Sequence, residues 1–334
     1  MLTEPADLDR GELLAVLAGA WGLEPRALDY LPVGFGSHHW RADDGGGETW
    51  FVTVDDLAAG FQAGSNVDEA FDGLERAFGT AWSLRHEAGL DFVVAAIRAR
   101  DDAVLRRLGD RYAVSVLPFV VGVSSTFGAY ELPADRRRVG AMLGRLHSAT
   151  LAVPKGLPRR DDFSIPSRAA LDDALKDVDR PWSTGPFADA ARIELHERAD
   201  ALRMRLGQYD TLAREVRSAP GSWVVTHGEP HRANVMEVEG GLRLVDWDTT
   251  MVAPRERDLW MILDDDATGL DEYVGEAGPV SLSGDALELY RQSWDLKDLA
   301  AYVDLFRQPH DETDDTRKTF TGLRSTLDRL ASPG

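Results

Sequence analysis

Cysteine is absent from the 334 residues, which excludes a disulfide framework, a cysteine nucleophile and a thiolate zinc site. Lysine is nearly absent. Lys155, Lys176, Lys297 and Lys318 are the only ones, so nothing before position 155 carries an ammonium side chain. Basic charge as a whole is short, with 37 Lys+Arg against 57 Asp+Glu and a formal net charge of −20. A field of that sign repels nucleic acid and anionic lipid and draws cationic ligands, and it also serves as a plain solubility bias spread over the surface. No apolar run approaches the ~20 residues that cross a bilayer. The opening Met1-Leu-Thr-Glu-Pro5 lacks the basic-then-apolar pattern of a secretory leader. These absences predict a cytoplasmic protein with no membrane and no nucleic-acid partner.

What is present points to an ordinary globular chain. Hydrophobic residues make up 43%, and the length exceeds what one core usually serves, so two lobes are expected. No internal repeat and no low-complexity segment interrupts it. Leu13, Leu14, Leu17 and Trp21 mark an amphipathic helix within Leu8–Leu23. From Tyr30 to Val54 glycines punctuate β-branched and aromatic segments, ending in Trp50-Phe-Val-Thr-Val54, a pattern of antiparallel strands and tight turns. A helix carrying Phe71, Leu74, Phe78, Ala81, Trp82 and Leu84 follows. Phe92–Ile97, Ala103–Leu105 and Tyr112–Leu117 then read as strands, and Pro118 closes the β-rich half.

Helical spacing dominates beyond Pro118. Val139, Met142, Leu143 and Leu146 form one stripe, with others over Leu171–Val178, Ala190–Val216 and Ala286–Leu330, where Leu287, Tyr290, Trp294, Leu299, Tyr302 and Leu305 are the expected core. The division predicted is 1–117 for a small sheet lobe and 118–334 for a larger, mainly helical one. The class is α+β.

The chemistry concentrates in Val224-Val-Thr-His-Gly-Glu-Pro-His-Arg-Ala-Asn-Val-Met236 and Leu244-Val-Asp-Trp-Asp248. Val235–Val238 and Leu242–Val245 read as two strands about a Glu239-Gly-Gly241 turn. A hairpin brings its ends together, so Asn234 and Asp246 sit side by side and Glu229 precedes them on a loop. Two carboxylates and an amide oxygen at one mouth suit Mg²⁺, which shares its shell with water and substrate phosphates. Phosphoryl transfer needs those metal ligands and a carboxylate to orient and deprotonate the attacking hydroxyl. Val245 and Trp247, which flank Asp246, argue against plain surface charges. His227 and His231 do not form a zinc-protease pair, because the glutamate does not directly follow the first histidine and Pro230 breaks the helix. Ser37, Ser124 and Ser125 lack the strand-turn-helix setting of a nucleophilic serine.

These residues resemble the aminoglycoside phosphotransferase and choline kinase superfamily, with a flavour nearest its spectinomycin-phosphotransferase-like members. His227, Gly228 and Asn234 match its catalytic loop, and Asp246-Trp-Asp248 its metal-binding strand end. Pro254-Arg-Glu-Arg-Asp-Leu-Trp260 is similar to its Pro-x-x-x-Asp-Leu element, and Tyr290–Leu299 to its substrate-side helix. The resemblance implies a bilobal protein-kinase-like fold with ATP or GTP between the lobes. It implies Glu229 as base, with His227 and Asp258 in the catalytic loop's support, and Mg²⁺ on Asn234 and Asp246. Gly34, Gly36, Ser37 and Thr53 would meet the phosphates, and Val116 and Pro118 the hinge side of the nucleotide. His231 and Asp295 would lie toward the acceptor, a small hydroxyl-bearing, amino-bearing molecule such as an aminoglycoside or aminocyclitol. Read without the resemblance, Gly34-Phe-Gly36 is equally an ordinary hairpin turn.

Two positions depart from the pattern. Glu229 stands where the family has aspartate, and its carboxylate reaches ~1.5 Å further, a misplacement on the scale that costs ~10²-fold in rate unless the pocket compensates. Thr53 stands where the family's phosphate-gripping lysine belongs, with His38, His39 and Arg41 nearby as substitutes. Both departures also fit a catalytically silent nucleotide- or ligand-binding relative. The acidic residues Asp264-Asp-Asp266, Asp271, Glu272, Asp298, Asp304, Asp311 and Glu312 read mainly as a solvated face.

Overall fold

Strict side-chain alternation builds the first layer. The computed structural model describes residues 1–34, 36–58, 66–219, 221, 223–263 and 267–332. It opens with helix α1 (Arg10–Val16), extended by a π-turn over Leu17–Trp21. Strands β1 (Ala27–Leu31), β2 (Ser37–Asp43), β3 (Thr49–Asp56), β4 (Arg106–Leu108) and β5 (Tyr112–Pro118) pair antiparallel in the order β1-β2-β3-β5-β4. Trp40, Ala42, Val52, Val54, Val114 and Val116 share one buried face with Leu13 and Leu17 of the opening helix. With a period of two, Ser37, His39, Thr53, Asp55 and Ser115 occupy the other face, aligned by the registers Ser37–Asp55, His39–Thr53 and Thr53–Ser115. That polar face looks into the cleft.

Helix α2 (Val67–His86) lies between β3 and β4 in the chain. Asn66 caps it, its side chain accepting the N–H groups of Asp68 and Glu69 at 3.0 Å each. Leu74, Phe78, Ala81 and Leu84 from this helix enter a central core with Leu143, Leu146, Leu244 and Trp247, so the lobes are joined by apolar packing.

The second lobe contains β6 (Val123–Ser124), α3 (Pro133–Ser148), β7 (Arg159–Arg160), α4 (Arg168–Lys176), α5 (Ala188–Glu197), α6 (Ala199–Ser218), β8 (Val224–Thr226), β9 (Val235–Val238), β10 (Gly241–Leu244) and β11 (Met251–Ala253), then α7 (Glu256–Leu259), α8 (Leu270–Ala277), α9 (Gly284–Arg307) and α10 (Asp314–Ala331). Two small sheets, β10-β9-β6 and β7-β11-β8, carry the catalytic segment on this helical body. Leu171, Leu195, Leu202, Leu289, Leu299, Val303, Phe306 and Leu323 form the core of the helices.

Several elements differ from the sequence expectation. Phe92–Ile97 is not a strand but a buried extended segment. It holds β10 through Leu244 N–H to Phe92 O at 2.8 Å and Val94 N–H to Leu244 O at 3.1 Å. A continuous apolar run of that length signals burial but not ladder pairing. The strand expected at Ala103–Leu105 starts three residues later, at Arg106. Ala190–Val216 divides at Arg198 into two helices, and the C-terminal run divides between Arg307 and Asp314. Among the described residues no helix is long and apolar enough to cross a membrane. Phe35 and the acidic run Asp264–Asp266 lie outside the described residues.

Candidate active site

The β9–β10 hairpin pairs Gly241 with Val238 and Leu244 with Val235, leaving Glu239-Gly240 as the tip. The ladder gains one more rung where Val245 N–H donates to Asn234 O at 3.0 Å, which sets Asn234 beside Asp246. Asp246 leaves the ladder at φ 68°, a left-handed conformation that costs a non-glycine residue ~1 kcal/mol or more. Behind it Trp247 is fully buried, its Nε1 donating to Leu244 O at 2.8 Å. Asn234 turns its NH₂ to Glu229 O at 3.1 Å and to His231 Nε2 at 3.3 Å. Its Oδ1 is therefore the atom left for a ligand.

The loop before the hairpin is tied by a set of hydrogen bonds to the hairpin and to α7. His227 Nε2 donates to Val245 O at 2.9 Å, and its Nδ1 accepts Glu229 N–H at 3.1 Å. Burial holds this imidazole neutral, down to about 4, against the opposing charge of Asp258. With one ring nitrogen donating and the other accepting, His227 is a clamp between loop and hairpin. Asp258 Oδ2 accepts His227 N–H at 2.9 Å and Oδ1 accepts Gly228 N–H at 2.6 Å. His147 Nε2 lies 3.0 Å from the same Oδ2, and its Nδ1 lies 2.8 Å from the Tyr273 hydroxyl. One turn before His147, Gly144 admits α8 closely, since a Cβ there would sit 2.6 Å from Tyr273 O. Arg257 donates to Thr226 Oγ1 at 2.9 Å and Thr249 O at 2.8 Å. Gly228, at φ 103°, leaves it room, because a Cβ at 228 would run into the guanidinium.

Electrostatically the mouth is an excess of carboxylates. Burial, then the charges of Asp248 and Asp298, push Glu229 up to about 8. A third of its side chain is open to the cleft, so solvent moderates that push. Burial and then Asp248, Glu229 and Asp55 raise Asp246 well above the ordinary carboxyl range. Asp248, hydrogen-bonded to Asp246, is raised by burial as well. Arg257 opposes this at both Glu229 and Asp248, and Lys297 at Glu229, while burial lowers Lys297 itself. Among the described residues no three His, Asp or Glu side chains are gathered closely enough to hold a metal ion by themselves. An amide oxygen and a carboxylate, crowded by other acids, suit an ion that completes its shell with water and phosphate oxygens.

The remaining sequence-predicted residues divide. Thr53 faces the cleft and meets His39 Nδ1 through Oγ1 at 3.2 Å. Burial drives His39 down to about 3, so it brings no charge. Arg41 pairs with Asp43 at 3.3 Å and lies over the Phe119 ring. Ser37 gives its hydroxyl to Asp55 at 2.6 Å. Gly34 and Gly36 flank the start of β2 with left-handed φ values of 73° and 88°. Pro118 ends β5 exposed.

Two residues belong elsewhere. Val116 is not on the cleft: its side chain lies in the core beneath α1, and its carbonyl accepts Ile97 N–H at 2.7 Å. Asp295 is taken by Arg329 of α10 at 2.7 Å. The acid of α9 that acts on Glu229 is Asp298, raised to about 7 by burial and Asp295. Trp294, expected in the core, is half-buried and stacks on Phe127 at 5.7 Å between centroids. His231 stands edge-on to both rings, at 4.9 and 5.9 Å, with Nε2 3.9 Å from a Glu229 oxygen. Sequence reasoning assigned no role to His147, Arg257, Lys297, Asp55 or Phe127. Arg257 and Lys297 had a signal, since each lies inside a motif segment already singled out.

A small antiparallel sheet above a helical body, with an Asn/Asp hairpin mouth between them, is the kinase-like arrangement. The chain belongs to the phosphotransferase enzyme family, whose model matches residues 34–295. It is similar in fold to spectinomycin phosphotransferase solved with ADP and spectinomycin, at a TM-score of 0.73 and 16% identity over 97% of this chain and 98% of that one. A microcompartment-associated aminopropanol kinase gives 0.60 at 14% identity, over 96% of each chain. Amicoumacin kinase in complex with AMP-PNP, Ca²⁺ and Ami gives 0.58 at 13%, over 96% of this chain and 94% of that one. No curated protein matches at the sequence level.

Proposed function

We propose that the chain is a small-molecule O-phosphotransferase that moves the γ-phosphoryl group of ATP or GTP to a hydroxyl of a small, amino-bearing acceptor such as an aminoglycoside or aminocyclitol. The observation that carries this is the Val245 N–H to Asn234 O bond at 3.0 Å, which fixes an amide oxygen and a carboxylate as neighbours, with Glu229 tied to the same asparagine at 3.1 Å. Family membership and the nucleotide-bound relatives of the same fold support the reaction class.

Residues 1–117 form the phosphate side in this reading and 118–334 the catalytic, metal and acceptor side. Asn234 Oδ1 and Asp246 hold Mg²⁺, which when bound neutralises charge on the phosphates. Glu229 accepts the proton of the attacking hydroxyl, and its raised affinity for protons suits a base working near neutral pH. His227 and Asp258 position the loop. Gly34, Gly36 and Thr53 lie along the phosphates, and Pro118 borders the base. Phe127, His231 and Trp294 wall the acceptor pocket, and Asp298 supplies the negative charge an ammonium would meet. The protein works in the cytoplasm.

Phosphorus NMR of the purified protein with Mg²⁺, ATP or GTP and a panel of aminated alcohols, aminocyclitols and aminoglycosides tests this. A new phosphomonoester resonance with loss of the γ-phosphate is expected. Nucleotide binding by calorimetry without turnover on any acceptor would favour a silent binding protein, and absence of nucleotide binding would reject both readings.

A further inference from the structure

The turn that leads into the hairpin carries a side-chain bond that the proposed reaction leaves unexplained. Asn234 N–H donates to His231 O at 2.9 Å, closing a turn over residues 231–234 that brings the two side chains together. The Asn234 NH₂ donates to Glu229 O at 3.1 Å, and because a carbonyl oxygen can only accept, the amide's orientation is fixed. Its second N–H meets His231 Nε2 at 3.3 Å. That nitrogen must carry the lone pair, which leaves the ring proton on Nδ1. The rival partner is out of reach, since Glu229 Oε2 lies 3.9 Å from Nε2, beyond hydrogen-bond length.

Shape holds this imidazole in place. Its Nδ1 is buried and has no hydrogen-bond partner among the described residues, while the ring sits edge-on to Phe127 at 4.9 Å and to Trp294 at 5.9 Å. Phe127 is itself 63% exposed, yet it is kept in position by the chain around it. β6, just before it, pairs with β9 through Val123–Glu237 and Ser124–Met236. Just after it, the Tyr130 hydroxyl donates to Pro230 O at 2.7 Å, and Arg232 donates to Ala129 O at 3.3 Å and to Glu131 at 2.9 Å. Residues 127–131 thus lie along the turn that carries His231. Burying an imidazole with one nitrogen unpartnered costs stability, and the hydrogen bond this ring does make goes to the amide whose oxygen is proposed to meet Mg²⁺.

We propose that His231 is a positioning residue for metal binding: seated by Phe127 and Trp294, its Nε2 holds the Asn234 amide so that Oδ1 is presented to the divalent ion. The inference rests on the phosphotransferase reading for that ion. Because Phe127 and Trp294 also wall the proposed acceptor pocket, it makes the grip on metal depend on rings that belong to the acceptor side.

Mn²⁺ serves as the probe, its binding followed by loss of the free-ion electron paramagnetic resonance signal in the presence of a non-hydrolysable ATP analogue, with circular dichroism and thermal midpoint as checks on the fold. Partners that orient a metal ligand typically hold ~10–100-fold in metal affinity, so His231→Leu is expected to raise the half-saturating Mn²⁺ concentration at least ~10-fold. His231→Gln, whose amide oxygen accepts where Nε2 does, should recover most of the loss. Phe127→Ala, at an exposed ring outside the core, should give a smaller rise and add nothing to His231→Leu. Nitrogen NMR of the wild type, with His231 assigned by its disappearance in His231→Gln, should find the ring proton on Nδ1. Unchanged half-saturation in His231→Leu or Phe127→Ala, glutamine no better than leucine, or a wild-type proton on Nε2 overturns the inference while the phosphotransferase reading stands. If the wild type binds neither nucleotide nor Mn²⁺, both fall.

Discussion

Asp258 grips the catalytic loop with both oxygens, Oδ2 on His227 N–H at 2.9 Å and Oδ1 on Gly228 N–H at 2.6 Å. The two amides face inward at the point where the loop turns toward Glu229, and His147 holds the carboxylate from the far side at 3.0 Å. Burial alone would raise this acid, yet the hydrogen bond and charge of His147, then Arg257, keep it below the ordinary carboxyl range. Asp258→Ala strands two buried N–H groups and one imidazole, each costing ~1–3 kcal/mol, so a loss of at least ~3 kcal/mol is expected in urea unfolding. Asp258→Asn retains an acceptor oxygen and should recover part of that stability. Both variants should lower kcat more than they weaken nucleotide binding, because the loop presents the base. An Asp258→Ala protein with wild-type stability would contradict this account.

Gly228 answers for the same loop from its other side. Its φ of 103° and the Arg257 guanidinium lying where a Cβ would go leave no room for alanine. Gly228→Ala must push Arg257 off Thr226 and Thr249, which hold it at 2.9 and 2.8 Å, and must strain the backbone. A destabilisation on the order of 3 kcal/mol is expected by thermal unfolding. The double variant Gly228→Ala with Arg257→Ala should regain part of the loss, since the clash disappears while the strain remains.

The hairpin was legible because turn chemistry and strand patterning agree at Glu239-Gly240-Gly241, and a two-stranded ribbon then fixes which ends meet. The α1 and α2 helices were legible from the helical spacing of their apolar residues. Phe92–Ile97 was not, since an apolar run is equally consistent with a strand and with a buried connector. Asp295 and Asp298 show the finer limit. They lie three apart on one helix, so the choice between Arg329 and Glu229 as neighbour is set by the packing of α10, which no local pattern encodes. Asp55 was hidden in the same way. Alternation gives its face, but that its Oδ2 has no hydrogen-bond partner among the described residues appears only in the folded structure.

The crowded acids make a pH prediction whose sign can be worked through. Burial chiefly raises Asp55 to about 7, Glu229 to about 8 and Asp298 to about 7, whereas the unfolded chain releases these protons near ~4. Folded protein therefore binds more protons across that interval, and stability falls as pH rises through it. Burial lowers His39, His227 and His231, which works in the opposite direction below ~6.5, the ordinary histidine value. Between about pH 6.5 and 8 the three carboxyls remain in play and outnumber the Met1 ammonium, which burial lowers from 8.0 and which works in the opposite direction. With chelator present, the thermal midpoint should drop across that window. Saturating Mg²⁺ with a non-hydrolysable nucleotide should flatten the drop, because a cation favours the ionised acids. A midpoint that rises from pH 6.5 to 8 without metal would reject the carboxylate crowding.

Glu229 is both the proposed base and one of the crowded acids, so two readouts should move in opposite directions on its substitution. Glu229→Gln removes the proton acceptor and should lower kcat by ~10²–10⁴ while leaving nucleotide affinity unchanged. It also removes a negative charge facing Asp246, Asp248 and Asp298, so the metal-free variant should melt higher than the wild type at pH 8. Glu229→Asp, the shorter acid, keeps the charge and withdraws the oxygen by one methylene, for an expected ~10²-fold loss in kcat with little gain in midpoint. A residue present only for structure would not behave this way: its loss would lower the midpoint, and aspartate and glutamine would not separate in rate. If Glu229→Gln retains wild-type kcat on an acceptor that the wild type phosphorylates, another group takes the proton.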